Sequence, residues 1–161
     1  MTDGGPSTSD YRVGSELLVR SVPGIPTVEP GADLAEIIAG ALTAADMRLT
    51  DHDVIVIASK VVSRAEGCFV DLGAIEPGRE ALELADELDK DSRLVELILR
   101  ESSAVSRKQH GALIVRHRLG FVAANAGIDA SNAAPSDAAE GTGPWVLTLP
   151  EDPDRSAARV R

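Results

Sequence analysis

The chain has 161 residues, 43% of them hydrophobic and 2% aromatic, with a formal net charge of −10. That suits one domain with an aliphatic core, and it argues against general nucleic-acid binding, which needs a basic footprint to displace counterions. A single cysteine, Cys68, excludes an internal disulfide and a thiolate metal cluster.

No stretch approaches the roughly 18–20 apolar residues of a membrane span. The opening "MTDGGPSTSD" lacks the charged-then-apolar pattern of a signal peptide, so no membrane association and a cytoplasmic location are expected. Residues 1–12, rich in Gly, Ser, Pro and Asp, read as a disordered tail preceding a domain over residues 13–161.

In chain order, "ELLVRSVPGIP" (16–26) predicts a strand running into a bend. Pro23 and Pro26 fix φ and remove donors, and Gly24 permits a positive φ. "GADLAEIIAGAL" (31–42) predicts an amphipathic helix, with Leu34, Ile37, Ile38 and Leu42 on one face. "DVIVIASKVVS" (53–63) opens with a continuous apolar run suited to a strand buried on both faces. Two helices follow over 79–89 and 92–102, the second with Leu94, Leu97 and Ile98 as its stripe and Asp91 as N-cap. "GALIVRHRLGFVAANAGIDASN" predicts a hairpin turning at Gly120, with His117 exposed near its tip between two arginines. Residues 133–144 read as a mobile loop, with Trp145 capping the core beside it. "WVLTLPEDPDRSAARVR" then supplies a strand and a helix, with Asp152 as N-cap, Pro153 at the first helical position and Val160 as apolar anchor. That helix is short for its isolation, so the sequence is expected to be part of a longer protein.

Neither a G-x-x-x-x-G-K-[ST] phosphate loop nor a G-x-G-x-x-G after a strand occurs, and the three histidines lack zinc-ligand spacing. Three segments carry candidate chemistry. "PGIP", Pro23 to Pro26 with Gly24 and Ile25 between, is either a strand-ending turn or a close backbone approach offering peptide groups to a ligand. "SKVVSRAEG" (59–67) follows the most apolar run, and Ser59, Lys60 and Arg64 there suit phosphate oxygens; a polar strand edge is the alternative. In "NAGIDASN" (125–132), Asp129 either closes an Asx turn or offers hard oxygen to Mg²⁺ or Mn²⁺, which need only one or two protein carboxylates beside phosphates.

Taken in order, "PGIP", "DHDVIVIASKVVSRAEG", "DSRLVELILRES", "GFVAANAGIDASN" and "LPEDPDRSA" resemble the N-terminal portion of the coenzyme F420:L-glutamate ligase family, the F420-0:gamma-glutamyl ligases (F420 is a deazaflavin cofactor). The resemblance covers roughly residues 17–161. It implies an α+β fold with a mixed sheet and flanking helices, and GTP-dependent ligation of L-glutamate to the terminal carboxylate of coenzyme F420-0 through an acyl phosphate. It further implies a homodimer, a divalent cation (Mg²⁺ or Mn²⁺) and potassium as an additional ion. By the same resemblance Pro23, Gly24, Ile25, Pro26, Ser59, Lys60, Arg64 and Asn132 line the GTP site, and Asp129 ligates the metal. Arg64 departs from the lysine common there, keeping the charge but replacing a point charge by a planar fork. Family members continue into a segment bearing an Asp-Thr pair and further nucleotide contacts, and some carry a C-terminal reductase-like domain. The 161 residues by themselves are therefore expected not to turn over, the alternative to a ligase being a nucleotide-binding or assembly module.

Overall fold

A computed structural model describes residues 17–131 and 133–161. The first helix, α1 (Leu34–Ala44), starts where Asp33 accepts the Glu36 N–H through its carboxylate, satisfying one of the orphan donors of the first turn. Its buried residues, Leu34, Ile38, Ala41 and Leu42, follow the helical period. Leu34, Ile38 and Leu42 pack with Val28 and with Ala65 of α2 (Ser59–Ala65), and Val160 of the last helix, α5 (Pro153–Val160), leans on the same cluster.

A second cluster joins α3 (Arg79–Leu88) and α4 (Ser92–Arg100) to a three-stranded antiparallel sheet of β2 (Ser102–Gln109), β3 (Ala112–His117) and β4 (Val122–Ala124), in the order β2-β3-β4. Ala81, Leu88, Val95, Ile98, Leu113 and Val115 form its centre, and Ala126, just beyond β4, sits fully buried among them. The other sheet pairs β1 (Phe69–Asp71) with β5 (Trp145–Leu147), antiparallel, with Leu72, Ile75, Leu97 and Val146 beneath. The α+β class is the one expected, its strands divided between two small antiparallel sheets. Among the described residues, no helix is long and apolar enough to cross a membrane.

The caps on Asp91 and Asp152 form as expected, accepting the N–H groups of Arg93 and Arg155. Four expectations need correction. Residues 17–22 form no strand, and neither do residues 53–58; both lack a ladder partner among the described residues, and without one an extended chain is not a sheet. The helix expected to reach residue 102 stops at Arg100, and β2 begins at Ser102, so a serine-rich stretch that looked like a helix end is an exposed edge strand. The expected tail over residues 1–12 lies outside the described residues, as does Asn132.

The fourth correction is His117, which is fully buried. Leu113, Val115 and His117 occupy alternate positions of β3 and so share its inward face. The ring stacks on Phe121 with centroids 4.9 Å apart, and its Nδ1 accepts the Leu119 N–H at 3.0 Å. That bond leaves the proton of the neutral ring on Nε2, which lies 3.4 Å from a Glu101 carboxylate oxygen without forming a proper hydrogen bond. Burial lowers the pKa of His117 despite the opposing pull of Glu101, so the unfolded chain takes the proton first. The stability contributed by the neutral ring is complete above the unfolded value near 6.5 and is lost as pH falls through the lower folded value. Urea unfolding is expected to show stability declining as pH falls below about 6.5, and His117→Asn, which retains an acceptor, to flatten that slope. A slope unchanged in the variant removes His117 from the acid response.

Candidate functional site

Helix α2 carries two of the candidate cations one turn apart, Lys60 and Arg64, so both project from the same side of the helix. The helix begins directly after the extended run 53–58 and ends at Gly67, whose φ of +69° takes the chain away. Its two cations reach different parts of the molecule. Arg64 donates through Nε to the Val28 carbonyl at 2.8 Å, lies 3.8 Å from the Glu29 carboxylate, and stacks 5.3 Å over the Phe69 ring.

Lys60 reaches the loop after β4. Its Nζ is 2.8 Å from Asp129 Oδ2 and donates to the carbonyl and the hydroxyl of Ser131 at 2.7 and 2.9 Å. The other Asp129 oxygen accepts the Ser131 N–H at 2.7 Å and the Ser131 hydroxyl at 2.6 Å. Asp129 thus makes the Asx-type contact considered from sequence and an ion pair besides. The hydrogen bond from Lys60, with those from Ser131, holds its carboxyl pKa down to about 2, so the group is an anion throughout the physiological range.

The loop owes its position to a turn of unusual backbone. Asn125, Ala126 and Gly127 all have positive φ, of 50°, 54° and 69°, and the Ile128 N–H closes the turn on the Asn125 carbonyl. For alanine the left-handed region costs about 1–2 kcal/mol, offset here by burial of its methyl in the α3–α4–β3 cluster. The Asn125 side chain accepts the Leu113 N–H, tying the turn to β3. Beyond the turn, Asp129 exchanges both backbone hydrogen bonds with Leu147 of β5, at 2.9 and 2.8 Å. Gly127 is needed for space as well as for φ, since a Cβ there would sit 3.0 Å from Leu149 Cδ1. Gly127→Ala is expected to cost about 1–3 kcal/mol, seen as a lower urea midpoint at constant m-value. Gly111→Ala, at a similar φ of +74° with open space around it, serves as the comparison and should cost less. Equal losses would mean that the Leu149 contact is unimportant.

Of the remaining candidates, the Pro23–Pro26 bend is exposed, with Gly24 at φ +81° and open space beside it, while Val28 just beyond is buried and fixed to Arg64. Ser59 is the first residue of α2 and borders a groove of about 1040 Å³ formed with residues 54–57, Phe121, Leu149 and α5. That groove is mainly apolar and is not lined by Lys60 or Asp129, so its size is not evidence for the polar cluster. Two residues that sequence reasoning left aside belong to the site's frame. Ser131 saturates Asp129, and Glu29 accepts from Ser136 at 2.8 Å while facing Arg64, so the segment after the loop is tied back to α2. A serine two positions after an aspartate is a local signal that was available; Glu29 offered none.

Among the described residues no group of three His, Cys, Asp or Glu side chains could hold a metal. Asp129 is an ionised hard-oxygen group of the kind that suits Mg²⁺ where phosphates and water complete the coordination, and here its two oxygens are engaged by Lys60 and Ser131. Cys68 is half-buried, and burial, with Glu66 and Glu101 nearby, raises its thiol pKa, which disfavours the reactive thiolate.

The family model described as F420-0:Gamma-glutamyl ligase matches residues 24–161. The chain is 44% identical over 145 residues to the coenzyme F420:L-glutamate ligase of Methanopyrus kandleri, covering 90% of this chain and 52% of that protein. It is 44% identical over 139 residues to the enzyme of that name from Methanothermobacter thermautotrophicus, and 38% identical over 140 residues to that from Archaeoglobus fulgidus. The chain spans about half the length of the curated relatives it matches.

Proposed function

Since this chain belongs to the F420-0:gamma-glutamyl ligase family, we propose that it supplies part of the nucleotide site of a GTP-dependent ligase that joins L-glutamate to coenzyme F420-0. The observation that carries the reading is the meeting of Lys60, Asp129 and Ser131, from segments far apart in sequence, within the matched region.

In this reading the F420-0 carboxylate takes the γ-phosphoryl group of GTP, breaking the bond to GDP and forming an acyl phosphate. The glutamate amine then attacks the carbonyl carbon, the amide bond forms, inorganic phosphate leaves and the amine gives up a proton. Such chemistry asks the protein chiefly for positioning and charge. Lys60 offers a point charge to phosphate oxygens, and Arg64 adds a second positive charge on the same helix face. Ser59, Asn132 and the peptide groups of Pro23–Pro26 orient the nucleotide. Asp129 would hold Mg²⁺ or Mn²⁺, and the ion would supply neutralisation of phosphate charge. Potassium, a homodimeric assembly and a cytoplasmic location belong to the same proposal.

Calorimetric titration of GTP with Mn²⁺ tests it. Lys60→Ala is expected to weaken binding about tenfold, the equivalent of one charged contact. Unchanged affinity would return Lys60 to a purely structural role. A second reading for the 161 residues by themselves is a module that binds nucleotide without turnover, since among the described residues no group of three metal-ligating side chains forms. GTP- and glutamate-dependent product from this chain alone rejects that second reading; binding without product supports it.

A further inference from the structure

The segment 54–58 is apolar, belongs to no helix or strand and, apart from the half-buried Ile57, is exposed. Val54 and Val56 are 83% and 89% exposed, although they belong to the most hydrophobic run of the chain. Residues 54–57 together border the groove with Phe121, Leu149 and α5, and Ile57 also packs on the α1–α2 cluster. Among the described residues no backbone hydrogen bond engages the N–H or C=O groups of residues 54–57. Leu17, Leu18 and Val19 form a second such stretch, at 88%, 80% and 81% exposure. Soluble proteins seldom leave an apolar strand with both edges open, because each is a template for another chain.

We infer that residues 53–58 form a docking strand for polypeptide from the other half of the family's length, which pairs with the open edges and covers Val54 and Val56. Three observations select this occupant. The open backbone groups call for a β-strand rather than a small molecule. The matched relatives are about twice as long as the matched region, so that polypeptide exists in them. A second copy pairing residues 53–58 with themselves would cover one edge and leave the other bare. The inference rests on the family match and the exposed backbone, not on the nucleotide reading, and it is tested without nucleotide.

The experiment co-expresses the 161-residue chain with the unmatched portion of the Methanopyrus kandleri ligase and measures amide hydrogen exchange. Co-purification is expected, with exchange at residues 54–57 slowed at least about a hundredfold relative to the chain alone. Val56→Glu, whose side chain is already in solvent, should abolish the complex without unfolding the chain. Co-purification that persists in Val56→Glu, without slowed exchange, would overturn the inference. So would slow exchange at these amides in the chain alone that depends on its concentration, which assigns the surface to a second copy. Should the added portion fail to fold, the intact Methanopyrus kandleri ligase decides: protected amides in its matching segment support the inference, and freely exchanging ones reject it.

Discussion

Asp129→Asn is expected to lower affinity for GTP in the presence of Mn²⁺ by at least about tenfold while leaving the fold in place. Asparagine keeps the shape of the side chain and an oxygen to accept the Ser131 N–H; only the charge is removed. Lys60 loses its ion partner but retains the Ser131 carbonyl and hydroxyl. The pair is about one-third exposed, at 35% and 33% for its two side chains, so solvent screening keeps its worth to stability within about 1 kcal/mol. The pH response points the same way. A carboxyl held at about 2 contributes stability that is complete above the unfolded aspartate value near 3.9 and is lost as pH falls toward the folded value. The variant should therefore be less stable than the parent by up to about 1 kcal/mol near neutrality, and the gap should close as pH falls below about 4. GTP affinity that is identical in variant and parent across a Mn²⁺ titration would remove Asp129 from the metal site.

Leu113→Ala should produce the largest loss of stability, about 2–5 kcal/mol. Leu113 is fully buried in the cluster of α3, α4 and β3 that also encloses Ala126. Its backbone N–H is the donor that Asn125 accepts, so the cavity opens beneath the turn that sets the course of the Asp129 loop. Both the urea midpoint and the affinity for nucleotide are expected to fall. Leu82→Ala, at a half-exposed position of α3, should stay within about 0.5 kcal/mol and shows what truncation costs away from the core. A small effect at Leu113 would mean that α3 and α4 collapse into the space.

The helices could be read in the sequence because period and caps agree. Asp91 and Asp152 stand at true N-caps, and the stripes of α1 and α4 lie close to where periodicity puts them, with Val95 added to the second. The environment of His117 was also legible in principle. Strand alternation with Leu113 and Val115 points it inward, but the flanking Arg116 and Arg118 suggested a solvated tip. Residues 53–58 could not be resolved by pattern, because V-I-V-I specifies a buried strand only when something lies on both sides. The Lys60–Asp129 contact has no local signature, since Asp129 alone was equally suited to an Asx turn. Resemblance to a family brought the two together in one site; geometry supplied Ser131 and Glu29.

Asp129 is coupled to its surroundings twice, and the couplings are mechanically independent. Its backbone is locked to Leu147, whereas its carboxylate is hooked to Lys60. A ligand that drew the ammonium group away would therefore release only the side-chain tie and leave the loop seated on β5 by its backbone, as a latch opens while the hinge stays fixed.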